Sequence, residues 1–161
     1  MLDLKLKAWC YELGEFVCIK YLEFIDEDIS YMHAQDKNGE DIEPPYASER
    51  LGIDWELLQY TGKADENDDS IYNGYLLEVT VPEETIPIRS YDGSISGYDF
   101  IEGYSQIGVV NYVTGEYYYD TVRTISGAHH DISAPLTSLT RCKIMGNIYE
   151  NPELLGAEAY W

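Results

Sequence analysis

No stretch of this sequence holds apolar residues at helical spacing for long. Short alternating or β-branched runs appear instead, cut by turn residues at close intervals. That pattern predicts a mainly β fold, because period-2 alternation presents one face of a strand to a core, and frequent turns keep each strand short. Leu2 to Trp9 alternates and reads as a first strand, and Phe16 to Phe24 as a second. The Asn38-Gly39 pair marks a hairpin turn. Ile71 to Val81 and Cys142 to Tyr149 read as further strands, and Ile107–Val113, Thr114-Gly115 and Glu116–Tyr119 as a hairpin. Between these lie segments without strand grammar. Pro44-Pro45 opens an irregular stretch, Ser48 to Leu58 suggests a short helical turn with Asp54–Tyr60 leading into a strand, and Pro82–Pro87 reads as a loop. Ser90–Tyr104 is broken by Asp92, Gly93, Gly97 and Gly103, and Pro152–Leu155 closes with a helical turn. The expected architecture is a small, partly open β-barrel with inserted loops and short helical turns, in a single domain spanning residues 1–161.

Charge narrows the function classes. The 161 residues carry 30 acids and 10 bases, a net charge of -20. Residues 21–120 hold 23 acids against four bases, Lys37, Arg50, Lys63 and Arg89. A surface this acidic argues against direct binding to nucleic acid or to an anionic membrane, both of which demand a positive footprint. It favours a basic protein surface as partner. The amino-terminal alternation is strand-like rather than signal-peptide-like, and no apolar run approaches the length of a membrane span. Three cysteines (Cys10, Cys18 and Cys142) without a CxxC pair suggest reduced thiols, hence a cytoplasmic setting.

Catalytic and metal patterns are weak. Asp65, Asn67 and Asp69 take the first, third and fifth places of a calcium-loop pattern. Ser70 then replaces the required Gly, and Leu76 the bidentate Glu. His129 and His130 are adjacent, which on a strand sends them to opposite faces. Cys142 sits in an apolar run and reads as a core thiol. Ser94 lacks the nucleophile-elbow context. The expectation is no enzyme, no cofactor, no metal and no catalytic residue. A seven-residue near-repeat relates Asp36-Lys37-Asn38-Gly39-Glu40-Asp41-Ile42 to Asp65-Glu66-Asn67-Asp68-Asp69-Ser70-Ile71, and reuse of one turn chemistry explains it.

Three segments together resemble the YopX-like family, encoded mainly by phages and prophages of Gram-positive bacteria. They are Leu4–Trp9; Leu58–Asn67 with Ile71-Tyr72-Asn73-Gly74; and Ile144-Met145-Gly146-Asn147-Ile148-Tyr149-Glu150-Asn151-Pro152-Glu153-Leu154-Leu155. The family usually has Asn-Gly where this chain has Asn67-Asp68, and Gly-Asp where it has Gly74-Tyr75. The resemblance implies a barrel-like β fold, and no activity, cofactor or catalytic residue to carry over.

The functional expectation therefore rests on charge. Duplex DNA carries about 20 charges per turn of ~34 Å. A domain of this length is about 40 Å across, so it carries about one turn of DNA's charge on a body about one turn long. The leading expectation is a phage-encoded acidic inhibitor that mimics nucleic-acid charge against a host defence nuclease, in an anti-CRISPR or anti-restriction role within the bacterial host cell. Its partner-binding acids would be Asp26, Glu27 and Asp28; Glu40, Asp41 and Glu43; Asp65, Glu66, Asp68 and Asp69; and Glu83 and Glu84. The alternative is a structural or assembly protein whose 16 tyrosines build a homo-oligomer or join a phage complex.

Overall fold

The computed structural model describes residues 4–42 and 50–156. The chain is mainly β, with twelve strands and two short 3₁₀ turns among those residues. It divides into two compact units, Met1–Gly62 and Lys63–Trp161.

In the first unit, β1 (Leu6–Cys10), β2 (Glu15–Ile25), β3 (Asp28–Gln35) and β4 (Trp55–Ala64) pair antiparallel in the order β3-β2-β1-β4. β4 runs on into the second unit by its last two residues. Period-2 alternation places Ala8 and Cys10 of β1 over Val17, Met32 and Ala34, with Trp55 closing the cluster. Trp9 and Phe16, directly paired across β1 and β2, meet edge to face with ring centroids 5.0 Å apart. Cys10 and Cys18 lie on different strands, the first buried and the second exposed.

In the second unit, β5 (Ser70–Tyr72) follows β4 across a five-residue turn. β6 (Tyr75–Val81), β9 (Tyr104–Val113), β10 (Glu116–Ser126), β11 (Ser133–Pro135) and β12 (Lys143–Asn147) form a sheet in the order β11-β10-β9-β6-β12. Leu76, Ile107, Val109 and Leu155 form its core cluster, flanked by Val122, Ile148 and Leu154. Burying each such side chain contributes about 1.5–3 kcal/mol. Tyr119 lies fully buried across Gly108, where any Cβ would collide with its ring. None of the sheets closes into a barrel, which agrees with the open β architecture expected from the sequence.

Three expectations need correction. The residues of Ser48–Leu58 that are described form no helix beyond Arg50, and Trp55–Leu58 belongs to β4. Trp55 and Leu58 imitate helical spacing, but register against β1 (Trp55 opposite Cys10, Leu58 opposite Lys7) fixes them on opposite faces of a strand. Pro82–Pro87 is a loop only up to Glu83, since Glu84–Arg89 is strand β7. Within Ser90–Tyr104, Ile95–Ile101 is strand β8, paired with β7 as a separate two-stranded sheet. Pro87 is tolerated because a two-stranded sheet consists only of edges. The Pro152–Leu155 turn is present as 3₁₀ helix, whereas Pro44-Pro45, Ser48 and Glu49 lie outside the described residues.

Candidate functional site

The acids singled out by sequence fall into distinct surroundings. Asp26 and Glu27 are the two turn residues joining β2 to β3, closed by the Ile25–Asp28 pair. Both have positive φ, 50° and 74°. Two-residue hairpin turns favour that backbone, but usually supply it with Asn-Gly or Asp-Gly. Asp26 suits the first of these places, but Glu27 stands where Gly is usual and bears the Cβ penalty of the left-handed region. Asp26, Glu27 and Asp28 are all exposed, and none takes part in an ion pair among the described residues. The same end of the hairpin exposes apolar side chains. Tyr21, Phe24, Ile25 and Tyr31 are 53%, 54%, 58% and 41% accessible, and Tyr21 and Tyr31 lie with centroids 6.1 Å apart.

Glu40 and Asp41 follow the next turn. Asp41 Oδ1 accepts from Gln35 Nε2 at 3.0 Å and meets His33 Nε2 at 2.8 Å. Those two contacts, Gln35 first, hold its carboxyl below the usual carboxylate range. Glu43 lies outside the described residues.

In the second unit, Asp65 is not a surface acid. It is buried, and its two carboxylate oxygens are taken up by backbone: Oδ1 accepts from the N–H groups of Asn67 (2.9 Å) and Asp69 (3.0 Å), and Oδ2 from Ile144 (3.0 Å). Burial pushes this carboxyl up, but the N–H groups and nearby Lys143 outweigh it and hold the pKa below the usual range. Asp65 therefore serves the turn, with no oxygen turned to a cation or a partner. Glu66 pairs with Arg141 Nε at 2.7 Å. Asp68, Asp69, Glu83 and Glu84 are exposed, without an ion pair among the described residues.

The near-repeat is the same turn used twice. Asp36 N–H donates to the Glu40 carbonyl and Gly39 N–H to the Asp36 carbonyl; Asp65 N–H donates to the Asp69 carbonyl and Asp68 N–H to the Asp65 carbonyl. In each, the first Asp side chain accepts N–H groups two and four residues on. Gly39 and Asp68 hold the matching positive φ, 79° and 66°.

Sequence reasoning missed a cleft of about 400 Å³ in the second unit, lined by Glu66, Glu78, Thr80, Arg141, Cys142 and Lys143 among others. Its charges are mixed, and Arg141 is engaged by Glu66. Burial pushes the Cys142 thiol upward, away from thiolate chemistry. His129 Nδ1 meets Thr124 Oγ1 at 2.6 Å, while His130 stacks on Tyr104 at 4.0 Å, so the two imidazoles serve different contacts. Among the described residues, no group of three His, Cys, Asp or Glu side chains is arranged to hold a metal, and no helix is long and apolar enough to cross a membrane. Tyr112 and Tyr117 pair across β9 and β10 with centroids 5.0 Å apart, while Tyr119 is core.

The family model of the YopX protein matches residues 5–156. The chain belongs to the YopX family. This YopX-family chain is also similar in fold to a solved structure, that of protein EF1440 from Enterococcus faecalis. The TM-score is 0.51 at 20% identity, over 96% of this chain and 99% of that one. At that identity the likeness speaks to fold alone. No curated protein matches the sequence.

Proposed function

We propose that this YopX-family chain is a phage-type acidic binding protein that docks on a basic protein surface, and that its target is a nucleic-acid-handling enzyme of the bacterial host, a defence nuclease foremost. It acts by binding, with no catalytic step of its own. One observation carries the reading. The β2–β3 hairpin presents three successive exposed carboxylates, Asp26, Glu27 and Asp28, without ion pairs among the described residues, on a backbone that costs stability to maintain, beside exposed Tyr21, Phe24, Ile25 and Tyr31. Strain kept at a surface turn fits a functional constraint. Aromatic anchors ringed by like charge fit a partner with Arg and Lys around an apolar patch. Glu40, Asp68, Asp69, Glu83 and Glu84 add to the long-range attraction, whereas Asp65 contributes only to folding.

The test is a tagged pull-down from host-cell lysate at about 0.05 M and ~1 M salt, followed by a DNA-cleavage assay on the protein recovered. The expected result is a basic nuclease held at low salt, released at high salt, inhibited by the chain, and lost when Asp26, Glu27 and Asp28 are each replaced by Lys. Capture that ignores salt, or that survives the triple replacement, sinks the reading.

A further inference from the structure

The β7–β8 hairpin stands apart from the other sheets. Among the described residues it hydrogen-bonds to no third strand, and every residue of β7 and every residue of β8 but Gly97 is exposed. A hairpin left alone in water is marginally stable at best. Its composition is also wrong for a solvated arm. Register puts Thr85, Pro87, Tyr98 and Phe100 on one face, and Ile86, Ile88 and Ile101 with Glu84, Gly97 and Asp99 on the other. Tyr98 and Phe100 are each 63% accessible and Tyr91, at the tip, is fully so. Both faces are apolar, so cover on one side leaves the other wet.

Area and charge say what covers them. Seven large apolar side chains (Ile86, Ile88, Tyr91, Ile95, Tyr98, Phe100 and Ile101) leave about 700 Å² of apolar surface in water, taking roughly 150–250 Å² for a whole aromatic and somewhat less for Ile. Summed over both faces, that approaches the ~800 Å² per partner of a stable dimer. Between Glu84 and Ile101 the arm holds three acids and one base, and the Thr85–Pro87–Tyr98–Phe100 face, which Arg89 continues, carries no carboxylate. Net charge -20 sets two copies against each other at long range, and a face without carboxylates lets them meet. An isologous contact, in which the same patch serves both partners, fits such a face.

We propose that a second copy of this chain occupies the β7–β8 arm, the two arms embracing so that the apolar faces of each are covered. This surface shares no residue with the acidic β2–β3 turn, and salt acts on the two in opposite directions. Screening weakens attraction to a basic partner but relieves repulsion between two acidic copies.

The test is the mass of the full chain in solution, by sedimentation and light scattering, at about 0.05 M and ~1 M salt. A dimer or larger assembly is expected, with its Kd falling about tenfold or more at the higher salt. Tyr98→Ser with Phe100→Ser, and separately Tyr98→Glu with Phe100→Glu, should leave a monomer, while Val113→Ser with Ile125→Ser, at exposed sites on other strands, should not. Amide exchange of the wild-type arm guards against misfolded variants, because its protection should rise with protein concentration. A wild-type monomer at ~100 µM in both salts overturns the proposal, whether the arm then holds a lipid vesicle or a different protein. So does an assembly that survives both arm variants, or arm protection that ignores concentration.

Discussion

The carboxylate of Asp65 accepts the backbone N–H of Ile144 at 3.0 Å, joining positions 79 apart in sequence. Its other oxygen caps the turn that follows it, so one side chain ties a local turn to the start of β12. Removing a buried acceptor leaves its donors unpaired. Asp65→Ala is expected to destabilise the chain by about 2–3 kcal/mol, and Asp65→Asn by somewhat less. The depressed carboxyl pKa sets the sign with pH. The stability it contributes is fully present above the unfolded value near 3.8 and is lost as pH falls through the lower folded value. Urea unfolding from neutral pH down to acid should show wild type losing that part of its advantage over Asp65→Asn. An advantage that grows on acidification would contradict it.

Asp68 holds φ 66° where the equivalent turn has Gly39 at 79°. Glycine enters this region without the Cβ penalty that an Asp bears. Asp68→Gly, which restores the Asn-Gly usual in the family, should raise stability by about 0.5–1 kcal/mol, and Gly39→Asp should lower it by a similar amount. Thermal denaturation of the two variants should move Tm in opposite directions.

Glu27 makes the corresponding test of a trade between stability and binding. At φ 74° it occupies the place where a two-residue hairpin turn favours Gly. Glu27→Gly should raise Tm, with a gain of about 1 kcal/mol, while weakening low-salt capture of the basic partner. A variant that is more stable and binds unchanged would remove Glu27 from the docking surface.

Tyr119 and Gly108 test the core of the second unit. Gly108→Ala drives a methyl group into the Tyr119 ring, and overpacking of this kind costs about 1–3 kcal/mol. The Tyr119 hydroxyl and the Gln106 amide are buried without a hydrogen-bond partner among the described residues. Burial pushes the phenol pKa up to about 12. The approach of Gln106 and Thr121 offsets part of that rise without reaching hydrogen-bond geometry. Tyr119→Phe should therefore be neutral or stabilising by up to about 1 kcal/mol. Denaturant midpoints for both variants check this, and a loss of stability in Tyr119→Phe would reveal a partner for the hydroxyl.

Turn chemistry made much of this fold legible. Thr114-Gly115 announces the β9–β10 hairpin through residues that accept positive φ, and the flanking alternation does the rest, whereas the Asn38-Gly39 turn closes only the single bridge Gln35–Asp41 among the described residues. β7 and β8 were hidden because Pro87, Gly93 and Gly97 read as loop, and nothing local reveals that a two-stranded arm tolerates them. The start of β4 read as a helical turn because Trp55 and Leu58 are both buried three residues apart, a spacing that only pairing with β1 resolves. The acids were visible as charges but not as roles. Asp65 looks like Asp68 in the sequence, and only Ile144, far along the chain, distinguishes them.

The five-residue turn has a consequence in time. It occurs at Asp36–Glu40 and Asp65–Asp69, and its backbone pattern returns at Ser90–Ser94. Each copy closes on contacts no more than four residues apart, within the microseconds in which hairpins form. Both units thus possess seeds that set strand register before any distant segment arrives. The rate of folding then falls to the long-range joins, with the clasp of Asp65 on Ile144 among the last to lock.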